Sequence, residues 1–176
     1  MISTDSDPTN PGEDGRTHHL DVYERRWMIA SVALLVVFAA SVAVAGFGLG
    51  FQVPGHESRV DPNTVADSPP WNNPGLRDLG NGEYEVYVIG RQYLFEPNEI
   101  RVPVGATVTF YVTSVDVQHG FKLQDTNINM QIVPGHISKL TRTFEKAGEF
   151  PYICNEYCGL GHASMAGSLI VEAQGG

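Results

Sequence analysis

The stretches EYEVYVIG (residues 83–90) and TVTFYVTS (residues 107–114) decide the fold. In the first, Tyr84, Val86 and Val88 alternate with Glu85 and Tyr87. In the second, Val108, Phe110 and Val112 alternate with Thr107, Thr109 and Tyr111. A period of two places apolar side chains on one face of an extended chain, the pattern of a half-buried strand. Ile100, Val102 and Val104 repeat it, and residues 139–144, 149–153 and 167–171 complete the set. Pro103-Val104-Gly105, Pro134-Gly135 and Ala147-Gly148 break the pattern into short runs. No useful helical period and no internal repeat interrupts it. About seven or eight short strands over residues 81–176 predict an all-β domain, a Greek-key sandwich or barrel.

Outward from that domain the chain changes character. Residues 52–80 hold five prolines and the run PPWNNPG, which predicts an extended linker over a membrane surface. Before it, WMIASVALLVVFAASVAVAGFGLGF (residues 27–51) is a 25-residue segment without one ionisable side chain. As a helix it would be roughly 37 Å long, more than the hydrocarbon core of a bilayer requires. The expectation is a transmembrane helix over 21–51, with Trp27 as an interfacial anchor. Ala43-Val44-Ala45 resembles a cleavage site, but the apolar run is too long for a signal peptide, and six acids against three arginines precede it. Arg25 and Arg26 abut the run, whereas the first base after it is Arg59. The positive-inside bias then predicts a single-pass protein of the cell membrane, N-terminus cytoplasmic, β domain outside. Residues 1–20, with His18 and His19, read as a disordered cytoplasmic tail. The net charge of −9 argues against a nucleic-acid partner, since phosphate binding needs a basic face. An acidic outer face suits attraction of a cationic partner, and it equally suits a surface adapted to high salt.

Both cysteines fall in CNEYCGLGHASM, which places Cys154, Cys158, His162 and Met165 within twelve residues (154–165). His119 lies beyond the strand at 107–114. Two thiols, two imidazoles and a thioether would converge at one end of the sandwich. Thiolate and thioether are soft donors that suit copper, and imidazole suits it as well. A blue-copper site needs two His, one Cys and a weak axial Met, and this chain has that inventory plus one more Cys. Two thiolates can bridge two coppers, leaving one His to terminate each. Bridging spreads a transferred electron over both metals, so bond lengths change little. A structural Cys2His2 zinc site remains an alternative, although it leaves Met165 unused, as does a Cys154–Cys158 disulfide. His136 and His56 receive no role.

The segment C-N-E-Y-C-G-L-G-H-A-S-M resembles the copper A signature, C-x-E-x-C-G-x-x-H-x-x-M, of subunit II of haem–copper cytochrome c oxidases. The single helix, RVDPNTV, EVYVIG and TSVDVQHGFKLQDTNINMQIVPG look like its ba-type branch. The resemblance implies a cupredoxin-like Greek-key domain with a binuclear copper A centre. His119 and Met165 would serve one copper, His162 and the Glu156 carbonyl the other, and Cys154 and Cys158 would bridge both. Electrons would arrive from cytochrome c or a small blue-copper protein. They would pass to haem in catalytic subunit I, where oxygen is reduced to water. Tyr93, in GRQYLF, stands where many members have the Trp at which electrons enter. The Glu156 side chain takes the position of a magnesium ligand in one branch. Glu24, in YERRW, takes that of a glutamate at a proton-uptake mouth, and equally of an acid complementing the helix dipole. A copper A subunit of a nitric oxide reductase and a free-standing membrane-tethered copper protein are the alternatives.

Overall fold

The structure is a computed structural model that describes residues 21–49 and 55–173. The tail at 1–20, with His18 and His19, lies outside the described residues. The chain divides into two compact units, a helical one up to Leu49 and a β one from Gly50 onward.

The helical unit is α1 (Val22–Ala43). Asp21 caps it, its carboxylate accepting the Tyr23 N–H at 2.8 Å, and Glu24 lies in the first turn, where an acid complements the helix dipole. The helix runs on into a wider turn over Val44–Gly48, where the Leu49 N–H reaches the Val44 carbonyl at 3.0 Å. The Ser41 hydroxyl donates to the Val37 carbonyl at 2.9 Å, so this polar group is satisfied within the helix. Val22–Gly48 is 27 residues long, about 40 Å as a helix. It is apolar all round and none of α1 is buried in protein, the profile of a helix that lipid covers.

The β unit contains eleven strands among the described residues. They are β1 (Gly55–Arg59), β2 (Gly75–Gly80), β3 (Glu83–Arg91), β4 (Leu94–Glu96), β5 (Glu99–Pro103), β6 (Thr107–Ser114), β7 (His119–Leu123), β8 (Asn129–Ile132), β9 (His136–Thr143), β10 (Gly148–Ile153) and β11 (Ala166–Glu172). One sheet runs β1-β9-β6-β3-β2, with β4 pairing β3, and the other β5-β11-β10-β7-β8. The pairs β3·β6 and β5·β11 are parallel, and the remaining ladders are antiparallel. The expected alternation is present: Val86, Val88, Val108, Phe110 and Val112 are fully buried. They meet Phe121, Leu123, Tyr152 and Leu169 of the second sheet in one core. Phe121 is its centre, with ring centroids 5.4 Å from Phe95, 5.9 Å from Phe110 and 5.0 Å from Tyr152.

The reading of 52–80 as an extended linker needs correction. It contains β1, β2 and a short helical turn at Val65–Asp67, and Trp71 is 3% exposed. Val65 and Trp71 cover Ile89 and Ile137 in a second apolar cluster. The Trp71 ring stands edge-on to Tyr87 at 5.2 Å. Tyr87 and Ile89 share one face of β3 and Val86 and Val88 the other, so this cluster backs the sheet on the side away from the main core. β1 and β2 are the two edges of their sheet, where glycine and charge are tolerated and alternation is weak.

Candidate metal centre

Strand ends position three of the ligands expected from the sequence, and the loop between β10 and β11 carries the other three. His119 opens β7, Cys154 follows β10 and Met165 precedes β11. β10 and β11 pair as far as Ile153 and Ala166, and the Cys154 N–H bonds the Met165 carbonyl at 3.0 Å. The ligand loop is thus pinched at its neck, and His162 rides in a short turn at His162–Ser164. His119, Cys154, Cys158 and Met165 are buried; His162 is half-buried.

The donor atoms converge. The two sulfurs lie 3.8 Å apart. The His119 Nδ1 is 3.9 Å from the Cys154 Sγ, and the Cys154 Sγ is 3.1 Å from the Glu156 carbonyl oxygen. The Cys158 Sγ is 3.7 Å from the His162 Nδ1 and 3.8 Å from the Met165 Sδ. The ligand atoms of His119, Cys154 and Cys158 all lie within 4.8 Å of one another. A disulfide needs sulfurs about 2.05 Å apart, so both cysteines are free thiols here. With metal–sulfur bonds of about 2.3 Å, sulfurs at this spacing subtend roughly 110° at the metal, an unstrained angle. The soft donor set fits copper.

Protonation follows from the surroundings. Burial, then the Cys154 thiol beside it, then the Asp116 charge push the Cys158 thiol up to about 11. Asp116 goes the other way. Burial alone would raise its carboxyl, but hydrogen bonds from His119 and from the Gln92 and Val117 N–H groups outweigh burial and hold it below the ordinary carboxylate range. Its Oδ1 lies 2.8 Å from the His119 Nε2, and its Oδ2 accepts the Gln92 N–H at 2.7 Å. The contact fixes the proton on Nε2 and leaves Nδ1 a free lone pair facing the sulfurs.

Comparison with known proteins matches this arrangement to a family. Residues 80–173 match the family described as cytochrome C oxidase subunit II, periplasmic domain. Cytochrome c oxidase subunit 2 of Thermus thermophilus is 42% identical over 154 residues, 85% of this chain and 92% of that protein. The alternative cytochrome c oxidase subunit 2 of Bradyrhizobium diazoefficiens is 31% identical over 70% of this chain and 43% of its own length. A chain in the cryo-EM structure of a heme-copper terminal oxidase dimer superposes with a TM-score of 0.72 at 31% identity, covering 85% of this chain and 99% of that one. The chain belongs to the cytochrome c oxidase subunit II family. It is a membrane-anchored, copper-centre subunit of a haem–copper oxidase complex, through which electrons reach the catalytic subunit. The readings as a nitric oxide reductase subunit and as a free-standing copper protein give way to it.

In this subunit II, Tyr93 is half-buried at the turn between β3 and β4, and its hydroxyl accepts the Leu160 N–H at 3.1 Å. Glu156 offers its carbonyl to the cluster and exposes its side chain. Glu24 is exposed in the helical unit. The sequence reading missed Asp116 and Gln92. The signal for Asp116 was an acid three residues before a candidate ligand histidine, a carboxylate being a common partner of such a ring; Gln92 had none, because its contact spans 66 positions in sequence.

Proposed function

We propose that Cys154 and Cys158 bridge two copper ions in one binuclear centre. His119 and Met165 complete one copper, and His162 and the Glu156 carbonyl the other. One observation carries this. The two terminal ligands assigned to each copper lean on opposite sulfurs: His119 on Cys154 and Met165 on Cys158 for one, Glu156 on Cys154 and His162 on Cys158 for the other. Each assigned pair thus has one donor beside each sulfur, as the two terminal ligands of a copper bound to both sulfurs require. Copper held there supplies a one-electron couple. The chain contributes rigidity: the ligands sit on strand ends or in a loop pinched between two strands of a packed core, so their positions hold when charge is gained or lost. No position is left for a substrate, and the role is electron relay.

The donor in this reading is cytochrome c or a small blue-copper protein, and the acceptor is haem in catalytic subunit I. Tyr93 is placed as the point where electrons enter, since its hydroxyl lies one hydrogen bond from the ligand loop. The exposed Glu156 side chain is placed as a magnesium ligand at the interface with the catalytic subunit. Glu24 is placed at a proton-uptake mouth, and Arg25 and Arg26 hold the N-terminus cytoplasmic with the copper domain outside. The one membrane-length helix among the described residues and the likeness to the Thermus protein support the ba-type branch. Titration of the metal-free chain with copper tests the centre: binding should saturate at two ions per chain, and Cys158→Ser should prevent the pair from forming. Saturation at one ion contradicts the assignment.

A further inference from the structure

The turn between β3 and β4 grips the ligand loop at two points. The Gln92 side-chain amide donates to the Cys158 carbonyl, and the Tyr93 hydroxyl accepts the Leu160 N–H at 3.1 Å. The loop is shaped to receive them. At Gly159, whose φ is +126°, a Cβ would meet the Tyr93 hydroxyl at 2.6 Å and the Gln92 Nε2 at 3.0 Å, and at Gly161 it would strike the Tyr93 ring. The Tyr93 ring in turn packs against the main core, so the turn is anchored. Gln92 also reaches the other ligand-bearing segment. Its backbone N–H donates to Asp116 at 2.7 Å, and Asp116 holds His119 at 2.8 Å. One residue thus ties the segment that carries His119 to the loop that carries Cys158 and His162.

We propose that Gln92 is a positioning residue that registers the two ligand segments against each other before metal arrives, with Tyr93 as the second arm of the same clamp. The proposal rests on the reading of this cluster as the copper centre. Without the clamp, the exposed part of the loop at 155–157 and 160 keeps the pinch at its neck, the bond from the Asn155 side-chain amide to the Asn129 Oδ1 at 3.1 Å and its own short turn, none of which holds Cys158 or Leu160. Fixing Cys158 and Leu160 from outside places both the sulfur and the His162 ring that follows. A loop already in its bound shape loses little freedom on metal uptake and moves little on electron transfer.

Two side chains separate the arms. Gln92→Met keeps length and the backbone N–H to Asp116 but removes the side-chain donor. Tyr93→Phe keeps the ring and removes the acceptor for Leu160. Amide hydrogen exchange on the full, metal-free chain in detergent is the direct readout. Tyr93→Phe should speed exchange at Leu160 by roughly fivefold, as for loss of one hydrogen bond of ordinary strength. Gln92→Met should speed exchange at Leu160 and at His162, whose N–H bonds the Gly159 carbonyl, while amides of β3 and β6 keep their rates. Copper added to Gln92→Met should bind more slowly and give a spectrum with less even sharing of the electron. Gln92→Glu, equally long and without a donor, should behave as Gln92→Met and serves if the methionine variant does not fold. Unchanged exchange across 158–162 in both Gln92 variants overturns the clamp. Failure of the wild-type chain to bind two coppers overturns the copper reading instead and leaves the exchange result standing.

Discussion

Cys158 is the residue on which the chemistry turns. Burial and the neighbouring Cys154 thiol hold its proton on to about pH 11, so near neutrality copper must displace that proton. The sign follows: lowering the pH favours the competing proton and weakens binding, and raising it strengthens binding up to about 11, by up to about tenfold per unit for each proton released. A copper-competition titration repeated at about pH 6 and about pH 8 should therefore show tighter binding at the higher pH. A flat profile would mean that the Cys158 thiol binds already deprotonated. Glu24 poses a separate question at this scale, since an exposed acid in a first turn is explained by the helix dipole alone. In the proton-uptake reading, Glu24→Gln in the assembled oxidase slows turnover severalfold; wild-type turnover would leave only the dipole role.

Among the elements, legibility tracked burial. β3, β5 and β6 alternate plainly because one face of each lies against the core, and their strand patterns are readable in the sequence. β7 was not, because HGFKL is buried at four of five positions and leaves no alternation to read. β8, at four residues, is too short to declare a period. β1 and β2 were hidden differently: they are sheet edges among prolines and glycines, and a linker has the same composition. Trp71 distinguishes the two pictures. Buried against Tyr87, Val65 and Ile137, it stabilises the β unit by burial of a large ring. Trp71→Ala should cost about 3 kcal/mol or more, read as a lower thermal midpoint of the metal-free chain. A midpoint equal to wild type would return this segment to the status of a linker.

For the whole molecule, the site was more legible than the fold that carries it. Metal chemistry restricts donor types and spacing so tightly that Cys154, Cys158, His162 and Met165 stand out within one loop, and His119, just beyond the strand at 107–114, supplies a second imidazole. What lies behind the ligands was not legible, because Asp116 and Gln92 act through contacts that only the folded sandwich creates. Orientation rests on a charge asymmetry, with Arg25 and Arg26 directly before the apolar run. Protease added to intact cells should remove the copper domain and spare the helix, whereas a domain protected until the cells are broken would invert the topology. The proposed relay role depends on a pair of metals, bridged by the Cys154 and Cys158 sulfurs, sharing one electron. Electron paramagnetic resonance of the oxidised, copper-loaded chain tests this most directly. The account predicts hyperfine splitting from one unpaired electron spread over two equivalent copper nuclei, lost in Cys158→Ser; splitting from a single copper nucleus in the wild-type chain would contradict it.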